Sequence, residues 1–138
     1  MKYTEQELRV MAIEAAERAY SPYSRCKVGA ALLAKSGKVY LGCNIENASY
    51  SPTICAERVA FAKAISEGER EFDAIAVAGT AADVVDGFFP PCGVCRQVMT
   101  EFCDGDFEIL VAKSEDEFSR FTLGEILPYG FSKNNLKD

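Results

Sequence analysis

KVGAALLAKSGKVYLGC, residues 27–43, is a hairpin in outline. Lys27 to Ala34 is a short apolar run suited to a buried strand, Ser36-Gly37 is a turn, and Lys38 to Cys43 reads as the returning strand. Downstream, Asn44 to Thr53 (NIENASYSPT) is a polar, turn-rich loop. Ile54 to Gly68 has helical spacing, Phe72 to Gly79 reads as a buried strand, and Thr80 to Pro91 is looser. Cys92 to Cys103 (CGVCRQVMTEFC) is a second cysteine-led helix, followed by a strand at Phe107 to Ala112. A short strand around Phe121, a short helix opening at Thr122-x-x-Glu125 and a tail with Tyr129 and Phe131 complete the chain. Upstream, Thr4 and Glu7 form a capping-box pattern, and Leu8, Met11, Ala12, Ala15 and Ala19 recur at helical spacing up to Ser21-Pro22. A hairpin followed by alternating helices and strands predicts an α/β fold of three layers, α/β/α. Its mixed sheet should have about five strands with helices on both faces, the direction of the edge strands being left open.

The composition narrows the chemistry. At 138 residues, 49% hydrophobic and 26% charged, the chain has the size and balance of one globular domain, expected to span residues 1–138. There is no histidine, which excludes Ser-His-Asp and Cys-His machinery and any metal site needing imidazole. Any metal must be held by sulfur or oxygen. The opening MKYTEQELRV carries no apolar signal region, and no stretch is long enough to span a membrane, so a cytoplasmic protein with reduced thiols is expected. A net charge of −6, with basic residues scattered singly, argues against a nucleic-acid partner.

Six cysteines remain to be explained. Cys92 and Cys95 form P-C-G-V-C, and Cys55 lies 37 residues earlier in C-A-E. A lone CxxC also fits a thioredoxin-like redox site. Cys55 and Glu57 tip the balance to metal, because the combined pattern matches the deaminase signature with cysteine in place of histidine. Each motif sits at a predicted helix start, where free amide N–H groups and the positive end of the dipole favour the thiolate that zinc requires. Glu57 would lie near the same helix end, free to hydrogen-bond a water on the metal. Three protein ligands leave the fourth tetrahedral position open, the layout of a hydrolase. A fourth cysteine would instead close the site into a structural one. Cys103 is eight residues past Cys95, about 12 Å along one helix, too far to share the ion. Cys43 is not excluded by geometry and Cys26 precedes another strand; the plainer reading of all three is a small buried thiol.

Zinc with three thiolates carries a charge of −1, which must be offset if a bound water is to be acidic. Arg58 and Arg96, close behind the two motifs, are candidates to donate to the ligand sulfurs; the alternative for each is solvated surface arginine.

These residues are recognisable together. Y-S-P-Y-S-x-x-x-V-G-A-A-L (Tyr20 to Leu32), G-C-N-I-E-N-A-S-Y (Gly42 to Tyr50), C-A-E-R (Cys55 to Arg58) and P-C-G-V-C-R-Q (Pro91 to Gln97) resemble the small homotetrameric cytidine deaminases. The resemblance implies one Zn²⁺ per subunit on Cys55, Cys92 and Cys95, with Glu57 as proton shuttle. It further implies that Asn44 and Glu46 hold the ribose hydroxyls, that backbone groups around Ala56 read the pyrimidine edge, and that Tyr50 reaches a neighbouring subunit's site. The implied reaction is hydrolytic deamination of cytidine and 2′-deoxycytidine, through attack of zinc-bound hydroxide on C4, as in pyrimidine salvage. Without the resemblance, Asn44 and Glu46 read equally well as turn formers.

One position departs from the family. An aromatic residue is common where this chain has Cys26, and there it packs against the base. Phe131, Phe88 or Phe89 would then have to supply the missing face, or base affinity and substrate choice differ. The competing readings are a deaminase of a modified cytosine nucleoside such as blasticidin S, against which N-I-E-N argues, and a zinc-stabilised module without activity.

Overall fold

The structure, a computed structural model, describes residues 3–81 and 88–136. Half of the loose stretch expected from Thr80 to Pro91, residues 82–87, lies outside them, and its first two residues, Thr80 and Ala81, belong to β3. In chain order the elements are α1 (Glu5–Ala16), β1 (Cys26–Ala34), β2 (Val39–Cys43), α2 (Ala56–Ser66), β3 (Phe72–Ala81), α3 (Gly93–Phe102), β4 (Glu108–Ala112), β5 (Phe118–Thr122) and α4 (Leu123–Ile126), with a 3-10 turn at Lys133–Leu136. The strands form one sheet in the order β2-β1-β3-β4-β5. β3 and β4 run parallel, joined through α3, and every other pair is antiparallel, so the sheet is mixed and its far edge, β5, is antiparallel.

Both faces of the sheet are covered, which explains why the central strands read as continuous apolar runs. Ala31, Leu33, Ala74, Ala76, Ala78, Leu110 and Ala112 pack with Leu8 and Ala12 of α1. Their alternating neighbours, Ala30, Leu32, Ile75, Val77, Ile109 and Val111, pack under Ala56, Ala60 and Phe61 of α2 and Cys95 and Met99 of α3. This is the expected α/β/α layering. Among the described residues no helix is long and apolar enough to cross a membrane.

Both predicted capping boxes are present. The Thr4 hydroxyl accepts from the Glu7 N–H while the Glu7 carboxylate accepts from the Thr4 N–H, both at 3.1 Å, and Thr122 with Glu125 repeats the arrangement at α4. Helix α1 ends at Ala16, short of the apolar repeat that continues to Ala19. The backbone of Tyr20 is engaged elsewhere: its N–H donates to the Asn44 carbonyl at 3.0 Å and its carbonyl accepts from Glu46 N–H at 2.8 Å. That tertiary bridge draws the chain away from the helix axis.

The register brings several element ends together. Cys26 pairs with Ala81 and Gly29 with both Ala78 and Cys43, so the start of β1 and the ends of β2 and β3 share one end of the sheet. The N-terminus of α2 is held there by Gly42, where a Cβ would stand 2.2 Å from the Ala56 carbonyl oxygen. Only a glycine in β2 allows this backbone-to-backbone approach.

Candidate metal centre and active site

Cys55 and Cys92 are the N-cap residues of α2 and α3, both in extended conformation. Neither side chain caps its helix, so both thiols turn away from the orphan amides while staying in their positive field. Cys95 is the third residue of α3 and fully buried. The Cys55 and Cys92 sulfurs stand 3.8 Å apart, Cys92 and Cys95 3.7 Å. Sulfurs at about 2.3 Å from a tetrahedral zinc are separated by about 3.8 Å, so the spacing of the thiols suits zinc, as does their chemistry. All three sulfurs lie within 4.8 Å of one another, and this is the cysteine cluster able to hold a metal among the described residues. Its electrostatics favour ionisation at Cys55, whose thiol is pushed down to about 5 chiefly by a hydrogen bond from Cys95, with Arg58 and Cys92 adding to it. Cys95 is correspondingly raised by its bond to Cys55 and by burial.

Glu57, the second residue of α2, is 4% exposed. Burial pushes its carboxyl up to about 7, into the range where it both gives and takes protons near neutrality. It lines a cavity of about 260 Å³ together with Cys55, Cys92, Ala56, Asn44 and Glu46, so two thiols of the cluster, the buried acid and the loop residues converge on one space, with Cys95 buried behind them. Val28, Thr53, Ile54, Phe89 and Pro90 complete its wall.

The loop residues are held rigidly. Asn44 is largely buried; its Oδ1 accepts from Val28 N–H at 2.8 Å and its Nδ2 donates to the Cys26 carbonyl at 2.9 Å. One amide hydrogen and one acceptor site remain for a ligand. Glu46 accepts through Oε1 from the N–H groups of Tyr23 and Ser24 at 3.0 and 3.1 Å, and through Oε2 from the Ser24 hydroxyl. The hydroxyl bond is the main reason its carboxyl is lowered, which keeps it charged. Tyr23 and Ser24 were not among the predicted site residues. They lie 23 and 22 residues before Glu46, a pairing that no local spacing announces. A second cavity, of about 360 Å³, shares Glu46 and Thr53 and is walled by Tyr23, Ser24 and Tyr50. Tyr50 therefore sits beside the thiol-lined cavity and not in its wall. It is 72% exposed, in the left-handed region at φ +63°, with its ring edge-on to Tyr23 at 6.3 Å.

The two arginines part company. Arg58 donates through Nη2 to the Cys55 sulfur at 3.6 Å, as expected of a residue offsetting thiolate charge. Arg96 does not reach sulfur: Nε donates to the Pro91 carbonyl at 2.8 Å and Nη1 to that of Ile126 at 2.6 Å. It ties the residue before Cys92 to the end of α4, so it holds the thiol cluster in place through the backbone. An Arg58→Gln variant should hold zinc roughly tenfold more weakly in competition with a chromophoric chelator, since glutamine lacks both the charge and the reach. Zinc affinity equal to wild type would remove Arg58 from the account.

The candidates for the base contact also separate. The cavity wall contains Phe89 but, among the described residues, neither Cys26 nor Phe131. The Cys26 backbone N–H donates to the Ser24 hydroxyl at 3.0 Å, and Phe131 is 59% exposed with its carbonyl accepting from Gln97. Phe88 packs edge-on against Phe121 at 5.9 Å. The remaining thiols stay outside the cluster. Cys43 lines a small separate cavity with Arg18 and Lys63, and Cys103 terminates α3 with its thiol pushed up to about 12 by burial and by Asp104 and Asp106.

Residues 2–111 match the family model of the cytidine and deoxycytidylate deaminase zinc-binding region. A cytidine deaminase of Sporosarcina psychrophila is 50% identical over 123 residues, covering 89% of this chain and 88% of the relative. The crystal structure of a cytidine deaminase from Burkholderia pseudomallei superposes with a TM-score of 0.85 at 44% identity, covering 94% of this chain and all of that one. A blasticidin-S deaminase of Bacillus cereus is more distant, 31% identical over 111 residues and 78% of each chain. With a three-thiol cluster suited to zinc and this degree of similarity over most of its length, the chain belongs to the family of zinc-binding cytidine and deoxycytidylate deaminases.

Proposed function

We propose that the chain hydrolyses cytidine and 2′-deoxycytidine to uridine and 2′-deoxyuridine, consuming one water and releasing one ammonia. The observation that carries this is the buried Glu57 carboxyl, in one cavity with Cys55 and Cys92 of the three-thiol cluster and with the charged, anchored Glu46. Zinc on Cys55, Cys92 and Cys95 would supply a Lewis acid that makes water nucleophilic near neutral pH. Glu57 accepts the first proton of the attacking water and passes it to N3 of the ring, then takes the second from the hydroxyl added at C4 and passes it to the departing amine, which leaves as ammonia. Its value of about 7 suits both directions of transfer. Glu46 and the free amide hydrogen of Asn44 bind the sugar hydroxyls, and the Glu46 charge disfavours a phosphate nearby. Backbone groups at Ala56, on the cavity wall, read the base edge.

Three thiols, and not four, in the cluster favour a catalytic centre over a closed structural one. The greater similarity to cytidine deaminases than to a blasticidin-S deaminase favours the unmodified nucleoside. The wider reading is a single domain over residues 1–138, active in the cytoplasm, where thiols stay reduced, in pyrimidine salvage. A homotetramer, in which Tyr50 would reach a neighbour's site, is the assembly that the family resemblance implies, and the exposed rings of Tyr20, Tyr50, Phe88 and Phe131 offer apolar surface for such contacts. Zinc-loaded protein should abolish the ultraviolet band of cytidine with one ammonia per nucleoside, and a chelator should stop it. Cytidine left intact by fully zinc-loaded protein would overturn the reading.

A further inference from the structure

We propose that Phe89 is the aromatic face against which the pyrimidine packs, and that it sets the affinity of this site for its base. The inference rests on the nucleoside reading above. A flat, polarisable ring bound beside Glu57 needs an apolar wall, and the cavity offers Val28, Ile54, Phe89 and Pro90. Phe89 is the aromatic member of that set.

Its position is fixed from two sides. A Cβ on Gly79 would lie 2.2 Å from Cδ1 and 2.3 Å from Cγ of Phe89, so the ring rests directly on the bare backbone of β3. Gly79 is the cross-strand partner of Val28, which places the ring beside the other apolar wall residue at the site end of the sheet. Phe89 also precedes the ligand Cys92 by only three residues, with Pro90 and Pro91 between, and the Pro91 carbonyl is held by Arg96 at 2.8 Å. The wall and the metal ligand are thus carried on one stiff segment. Cys26 lies two residues before Val28 on β1 and offers no ring, so the aromatic surface comes to the cavity from the opposite side of the β1–β3 ladder.

Stacking or edge-on contact with an aromatic ring contributes enough that its removal should raise KM for cytidine roughly threefold to tenfold. Phe89→Leu keeps apolar bulk and removes the ring face. The expected result is that increase in KM, with kcat within about twofold of wild type and full zinc content, while Phe89→Tyr stays near wild type. Gly79→Ala, which leaves Phe89 in place but displaces its ring, should raise KM in the same direction. Equilibrium binding of uridine to the same zinc-loaded proteins provides a readout independent of turnover. Uridine affinity and cytidine KM unchanged in both Phe89→Leu and Gly79→Ala would overturn the proposal, as would a joint loss of kcat and zinc, which marks a structural role. Failure of the wild type to deaminate cytidine would instead count against the deaminase reading, with the uridine comparison still deciding the role of Phe89.

Discussion

A Glu57→Gln variant should keep its zinc and its affinity for uridine while deaminating cytidine about 10²- to 10⁴-fold more slowly. Glutamine preserves the shape and the hydrogen-bonding reach of a side chain that is 4% exposed, but its amide exchanges no proton at neutral pH. Zinc content by elemental analysis and uridine binding separate this from a folding defect. Near-normal turnover would end the shuttle assignment. The same variant has a second signature in the metal-free protein. The Glu57 carboxyl titrates at about 7 in the folded chain against 4.5 as the ordinary value, so the folded state holds the extra proton between these limits. Stability is therefore full below the ordinary value and falls as pH rises towards 7, by about 3 kcal/mol at most. Glutamine never pays that cost of burying a charge. Urea unfolding of the metal-free proteins should show Glu57→Gln gaining on wild type between about pH 5 and about pH 8.

Cys95→Ser is expected to have a still broader effect. Cys95 is fully buried in the first turn of α3, 3.7 Å from the Cys92 sulfur, and a serine hydroxyl is a far poorer zinc ligand than a thiolate. The variant should lose stoichiometric zinc on dialysis and with it all measurable turnover. It should also lose the stabilisation that zinc gives by binding only the folded chain, about 4 kcal/mol at a thousandfold excess over Kd. For a chain of this size that is a fall in melting temperature of about 10–20 °C. Cys43→Ser and Cys103→Ser, which alter thiols outside the cluster, should keep full zinc. Zinc retained by Cys95→Ser, or lost from Cys103→Ser, would mean that the ligands are misassigned.

What could be read from the sequence is what short spacing encodes. The capping residues Thr4 and Thr122, the turn at Ser36-Gly37 inside the connection between β1 and β2, and the cysteines at the starts of α2 and α3 depend on neighbours within a few positions, and the structure places them as expected. The alternation of Ala30 to Ala34 between two packed faces follows from a run with no polar member. Longer-range pairings were hidden. Arg96 follows a ligand motif closely, which suggested a bond to sulfur, yet its partners include the Ile126 carbonyl 30 residues on. Ser24 and Glu46 meet across 22 residues because the chain from Tyr20 bridges to the loop after β2. The same bridge ends α1 before its apolar repeat does. Phe89 as cavity wall depends on Gly79 being bare on a strand ten residues earlier, a relation of shape that no periodicity records. β5 begins at Phe118, so soon after β4 ends at Ala112 that only an antiparallel return fits, but the start of that strand is not marked in the sequence and its direction could not be read.

The account turns on a zinc centre with three thiolates and one open position beside Glu57. Zinc-edge X-ray absorption of the zinc-loaded, full-length protein measures that directly. Three sulfur scatterers at about 2.3 Å and one lighter scatterer at about 2.0 Å are predicted. Four sulfurs would close the site, make the centre structural and contradict the catalytic role argued from Cys55, Glu57, Cys92 and Cys95.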